Sequence, residues 1–147
     1  MKIIEDFCQK FNIAPKFDGT ILEMNHSIVL VSKEQSLAIK KIGAVQHAGV
    51  LLGWKKKNYF KPSSQFLDMY MQEAPSVTLN VQGAWLFLCG RDVFSDSIIQ
   101  ADHDDAPFVV VKDQAHNILG YGQTQRGQIA IKTLYDKGDL LRREMTK

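Results

Sequence analysis

Apolar residues at the start of the chain recur at helical spacing. Ile3, Ile4, Phe7, Cys8 and Phe11 form one stripe, which predicts an opening amphipathic helix turned toward a core. Pro15 and Asp18-Gly19 end that pattern. TILEM (20–24) and SIVLV (27–31) then read as two strands joined through Asn25-His26, a hairpin. KEQSLAIKKIG, from Lys33, reads as a short helix closed by Gly43. GVLLGW (49–54) reads as a further strand and KKKNYFK after it as an exposed loop. Ser63 or Ser64 is placed to cap a helix over QFLDMYMQEA, where Phe66, Leu67, Tyr70 and Met71 form one face. Pro75 stops that helix and marks the expected domain boundary, giving domains 1–73 and 74–147.

Beyond Pro75 the period changes. SVTLNV alternates, with Val77, Leu79 and Val81 on one face. WLFL, VFSDSIIQ, FVVVK, NILGYG and QIAIK follow as short apolar segments between turn residues. Such spacing predicts a small β-barrel or sandwich rather than alternating β-α units. Val109, Val110 and Val111 read as a strand covered on both faces, and Ile129 and Ile131 as inward-pointing. Asp139 is placed to cap a last helical turn, LLRRE.

Composition adds a core-forming chain, 45% hydrophobic and 10% aromatic over 147 residues, which argues against wholesale disorder. Net charge is only +2, but its distribution is uneven. Residues 1–74 hold ten lysines, no arginine and seven acids (+3); residues 75–147 hold four lysines, four arginines and nine acids (−1). Basic surfaces therefore have to be local patches. Cys8 and Cys89 lie in apolar contexts and read as two buried thiols. The N-terminal MKIIEDFCQKF lacks a signal-peptide pattern, and no apolar run approaches the ~18 residues of a membrane span, so no membrane partner is expected.

Catalytic and nucleotide chemistry find little support. Gly120-x-Gly122 begins like a dinucleotide fingerprint, but Gln125 stands where the third glycine belongs. Gly122-QTQR-Gly127 mimics phosphate-loop spacing, yet Gln128 and Ile129 replace the Lys and Ser/Thr that would hold phosphate and magnesium. Strand, turn and strand is the better reading, with glycine where side chains would collide. Asp102-His103-Asp104-Asp105 matches no metal-ligand spacing and reads as a solvated loop, and no nucleophile stands beside a base. No metal, no cofactor and no enzymatic activity are expected. Two basic patches remain. Lys55, Lys56, Lys57 and Lys61 interleave with Tyr59 and Phe60, a composition suited to phosphates and bases together, or to a solvated loop whose aromatics turn inward. Arg142, Arg143 and Lys147 form the other, extended by Arg126 and Lys132.

The block from FVVVKD through HNILGYGQTQ to IAIKTLYDKGDLLRRE resembles the C-terminal half of a PUA domain, a small RNA-binding β-barrel. GAWLFLCGRDVF resembles the helix-and-turn segment near the start of such domains. DGTILEM, IVLVSKEQSLAIKK, GVLLGWKKKNYFK and FLDMYMQEAP are similar in order to the N-terminal domain of one PUA family, the ribosome-biogenesis factors known in yeast as nuclear import protein seven, with archaeal relatives. The resemblance implies an α+β chain, a small N-terminal α/β (pre-PUA) domain followed by a PUA-type β-barrel. It further implies a non-enzymatic RNA-binding assembly factor for the large ribosomal subunit that meets U-rich single strands. Carried over by position, it makes Gly120 and Gly122 backbone-approach sites, Arg142, Arg143 and Lys147 the basic closing segment, and Tyr121 an aromatic lying against RNA. The expected partners are pre-rRNA or other single-stranded RNA together with ribosome-assembly or RNA-modification proteins. The expected location is cytoplasmic for an archaeal protein and nucleolar for a eukaryotic one. The alternative is a protein–protein adaptor, or a targeting subunit for an RNA-modifying enzyme, with weak RNA contact.

Overall fold

The computed structural model describes residues 1–35, 37, 49–139 and 142. The expected helix from Lys33 to Gly43 lies mostly outside the described residues, as do Arg143, Lys147 and most of the LLRRE turn. The chain divides into two compact units, one of residues 1–9 and 14–70, the other of residues 10–13 and 71–147.

In the first unit, α1 (Lys2–Lys10) buries Ile4, Phe7 and Cys8, the stripe its spacing predicts. Strands β1 (Thr20–Met24), β2 (Ser27–Val31), β3 (Val50–Lys56) and β4 (Tyr59–Pro62) form an antiparallel meander in that order. Asn25 (φ 50°) and His26 (φ 70°) make the β1–β2 turn, both in the left-handed region that matches the twist of a two-residue hairpin. The expected loop KKKNYFK is instead the end of β3, the turn Lys57-Asn58 and the start of β4. Phe60 is the reason: alternation sends it into the core, 3% exposed, where it meets Phe7 and Phe66 edge-on. Ser63 is the cap of α2 (Ser64–Tyr70). Its Oγ accepts the Phe66 N–H at 3.1 Å and donates to the Leu51 carbonyl at 2.7 Å. That helix ends at Tyr70, shorter than the apolar pattern suggests.

The second unit holds a six-stranded sheet that curls into a half-barrel. Its strands are β5 (Ser76–Leu79), β6 (Val93–Phe94), β7 (Ile98–Asp102), β8 (Phe108–Lys112), β9 (Ile118–Thr124) and β10 (Ile129–Asp136), in the spatial order β6-β10-β9-β8-β5-β7. All pairs are antiparallel except β5 with β8, which are parallel. β5 is central and buried along its whole length, so the alternation expected for SVTLNV does not hold. The alternation fails again at Asn80, which starts a helix. Its Oδ1 accepts the Gly83 N–H at 2.7 Å, capping α3 (Val81–Leu88). WLFL is therefore helical, as the family resemblance implies and the apolar pattern does not. Val81, expected to share one face with Val77 and Leu79, is 77% exposed where they are buried.

Val77, Leu79, Val109, Val111, Leu119 and Ile131 line the concave face of the half-barrel together with Phe87 of α3. Burial of the valine run in β8 is as its sequence predicts. Ile129, expected to point inward, is 38% exposed because β10 shifts register against β6 between Ile129 and Ile131. Of the two thiols, Cys8 is buried, and burial pushes its pKa up to about 11. Cys89, at the C-terminal end of α3, is exposed, contrary to expectation.

Candidate nucleic-acid interface

The β9–β10 ribbon gathers most of the residues that the sequence singles out in the second unit, and its pleat sorts them onto two faces. Gln123 pairs with Lys132, Tyr121 with Tyr135, and on the other side β8 sets Phe108 beside Gln123 and Val110 beside Tyr121. These side chains share one face, because Tyr121 and Gln123 are two residues apart on one strand. Gly120, Gly122, Ile131 and Asp136 occupy the opposite, concave face. A register shift between Thr133 and Tyr135 adds one residue to β10, which puts Lys132 and Tyr135 on the same side despite their odd spacing.

On the convex face, the Tyr121 ring meets Phe11 edge-on at 5.5 Å and tilts against Tyr135 at 5.7 Å. Phe11 also packs on Phe108, and Lys10 Nζ lies 5.7 Å above the Phe108 ring. Lys132 and Gln123 are exposed beside this aromatic row, and Arg126 is exposed in the β9–β10 turn. Half-buried tyrosines held rigidly by their neighbours, with cations at the margin, offer rings to unstacked bases and charge to phosphates. The acidic loop borders the same region. Thr124 Oγ1 donates to the Ala106 carbonyl at 2.8 Å, which fixes the loop after Asp104 and Asp105 against β9.

Gly120 and Gly122 do a different job from the one the resemblance implies. Both are buried. A Cβ on Gly122 would stand 2.5 Å from both the Lys132 carbonyl oxygen and Ile131 Cγ2, and one on Gly120 would collide with the Tyr135 carbonyl oxygen. They let β9 and β10 approach closely on the concave face.

Arg142 is also committed to the fold. Its guanidinium grips Asp136 through two parallel bonds, Nη1 to Oδ1 at 2.9 Å and Nη2 to Oδ2 at 3.0 Å, and Nη1 also donates to the Leu88 carbonyl at 2.5 Å. These bonds to Asp136 raise the guanidinium pKa further, so the charge is fixed. The local backbone explains the geometry. α3 ends in a Schellman turn, with Gly90 (φ 89°) in the left-handed region, its N–H on the Phe87 carbonyl and the Arg91 N–H on the Leu86 carbonyl. Leu88 is left with an open carbonyl at the negative end of the helix, which Arg142 fills. The guanidinium lies against Gly90, 3.1 Å from where a Cβ would sit. Asp136 itself is 5% exposed. Arg142 thus ties α3 to β10.

The sequence also names Lys55, Lys56, Lys57 and Lys61, all on the β3–β4 hairpin of the first unit. The register separates them. Lys55 shares a face with buried Phe60 and reaches Glu23 at 4.0 Å; Lys57 sits in the turn; Lys56 and Lys61 share the other face. Tyr135, Phe108 and Lys10 are the residues that sequence reasoning misses. The register shift hides Tyr135 from a period-two count, and Lys10 sits on a helix some hundred residues away.

The profile of the UPF0113 PUA domain family matches residues 76–145, which span the half-barrel. No curated protein matches the chain. Among solved structures, a conserved PUA domain protein from Thermoplasma acidophilum is similar, with a TM-score of 0.59 and 15% identity over 97% of this chain and 92% of that one. A hypothetical protein from the hyperthermophilic archaeon Pyrococcus horikoshii OT3 is similar at a TM-score of 0.51 and 16% identity, over 92% and 87% of the two chains. At such identities the likeness bears on fold. The half-barrel of this chain is similar in sequence to the UPF0113 PUA domain and in fold to these PUA proteins.

Proposed function

We propose that this protein binds single-stranded RNA through the convex face of the β9–β10 ribbon and acts without catalysis, as an assembly factor for the large ribosomal subunit. One observation carries the RNA contact: Tyr121 and Tyr135 lie side by side on the face that exposes Lys132 and Gln123. Tyrosine rings meet bases and Lys132 meets phosphate, with Arg126 at the turn taking a neighbouring phosphate. The PUA domain, a module found typically in RNA-binding proteins, supports the reading, and the resemblance of both halves to the nuclear-import-protein-seven family supports its place in ribosome assembly. Arg143 and Lys147, which lie outside the described residues, remain candidates from the resemblance alone.

Fluorescence anisotropy of a labelled oligouridine, titrated with the full chain, tests it. Lys132→Glu/Arg126→Glu weakens binding about tenfold or more and lowers the log–log salt slope by about 1.4, two contacts at ~0.7 each. Unchanged affinity and slope in this variant contradict the site.

A further inference from the structure

The β3–β4 hairpin presents a second surface of the same chemistry, on a different unit. Trp54 pairs with Lys61 and Lys56 with Tyr59, so these four side chains share one face of a two-stranded ribbon. Trp54 and Tyr59 are diagonal neighbours across the strands, close enough to receive adjacent bases of an extended strand. Tyr59 is 58% exposed and Lys56 is exposed, while Trp54 and Lys61 are half-buried. Among the described residues, none of these four side chains belongs to the buried core. The apolar anchor of the hairpin is Phe60, on the other side, where Lys55 meets Glu23. A solvated hairpin tip needs neither an indole nor a phenol.

We propose that the hairpin face formed by Trp54, Lys56, Tyr59 and Lys61 is a binding site for single-stranded RNA. The two rings stack on bases and the two ammonium groups meet phosphates. The proposal goes beyond the β9–β10 face but rests on the reading that this protein binds single-stranded RNA.

Charge favours this ligand, because residues 1–74 carry ten lysines and no arginine against seven acids, a net +3. Lys61 Nζ lies 5.9 Å over the Trp54 ring, near the ~6 Å limit of a cation–π contact, so it is readily exchanged for a base while the ammonium moves to phosphate. A duplex would use the lysines but leave both rings idle, whereas unpaired bases use all four groups.

The chain holds two tryptophans, so Trp85→Phe leaves Trp54 as the sole indole. Trp85 is 68% exposed, and the replacement leaves the fold intact. In that background the full chain is titrated with oligouridine, following Trp54 emission on unlabelled RNA and anisotropy on labelled RNA. Trp54 emission is quenched in step with binding. Tyr59→Ala weakens affinity about tenfold. Lys56→Glu/Lys61→Glu lowers the salt slope by about 1.4, whereas Lys55→Glu leaves affinity within about twofold. Rising anisotropy with unchanged Trp54 emission, and parental affinity in the Tyr59 and Lys56/Lys61 variants, would overturn the hairpin site and leave the β9–β10 reading standing. Flat anisotropy overturns both.

Discussion

The concave and convex faces of the β9–β10 ribbon are built from the same two strands and differ in what they carry. The concave face carries Gly120, Gly122, Ile131 and Asp136, all buried, with Asp136 locked to Arg142. The convex face carries Tyr121, Gln123, Lys132 and Tyr135, part-buried or exposed. A glycine-rich strand ending in a basic pair is thus two separate devices. The glycines bring two strands together and Arg142 closes a helix end, while the intervening side chains on the other side are the ones proposed to meet RNA. Sequence order alone merges them, because neighbours in a strand face opposite ways.

The largest expected effect lies on the concave face. Gly122→Ala forces a methyl group against the Lys132 carbonyl and Ile131, and it costs about 1–3 kcal/mol of stability by chemical denaturation. The same change at an exposed strand position away from β10 would cost little, so an unaffected midpoint would break the contrast. Arg142→Lys comes next. A lysine cannot make the paired bonds to Asp136, so the melting temperature falls although the charge is kept. RNA affinity measured well below the transition stays within about twofold. A tenfold loss of affinity with unchanged melting would return Arg142 to the RNA surface.

Tyr135→Ala sharpens the comparison from the convex side. It weakens oligouridine binding by about 1–3 kcal/mol per lost stack, read by anisotropy, with a smaller effect on melting than Gly122→Ala. The smallest effect lies in the β8–β9 turn, away from either device. Burial tends to raise the Asp113 pKa, but bonds from the Asn117 side chain and N–H and from the Ala115 N–H outweigh it, leaving a net lowering. Its stabilising contribution is therefore full above the ordinary carboxylate pKa of about 3.9 and is lost as pH falls through the lower folded value. Asp113→Asn flattens that acid limb in melting temperature against pH and leaves RNA binding at neutral pH unchanged.

Much of the fold was legible because short-range rules govern it. The α1 stripe, the Asn25-His26 hairpin, the Ser63 cap and the buried valine run of β8 follow from spacing and turn chemistry alone. The misreadings share a different cause. WLFL fits a strand by pattern because its helix is apolar nearly all round and its cap, Asn80, directly follows a buried strand. KKKNYFK looked like a loop because its lysines outweigh one inward phenylalanine. At the site, the residue types were legible and their directions were not. Register shifts in β10 turn Ile129 outward and Tyr135 toward Lys132, and the role of Arg142 depends on a carbonyl left open fifty-four residues earlier.

The central claim is that RNA lies on the convex face. The most direct measurement is photo-cross-linking of the full chain to an oligouridine containing 4-thiouridine, followed by mass-spectrometric mapping of the adducts. The account predicts adducts on Tyr121 or Tyr135, abolished by Lys132→Glu/Arg126→Glu at moderate salt. Efficient cross-linking that never reaches the β9–β10 ribbon would contradict it.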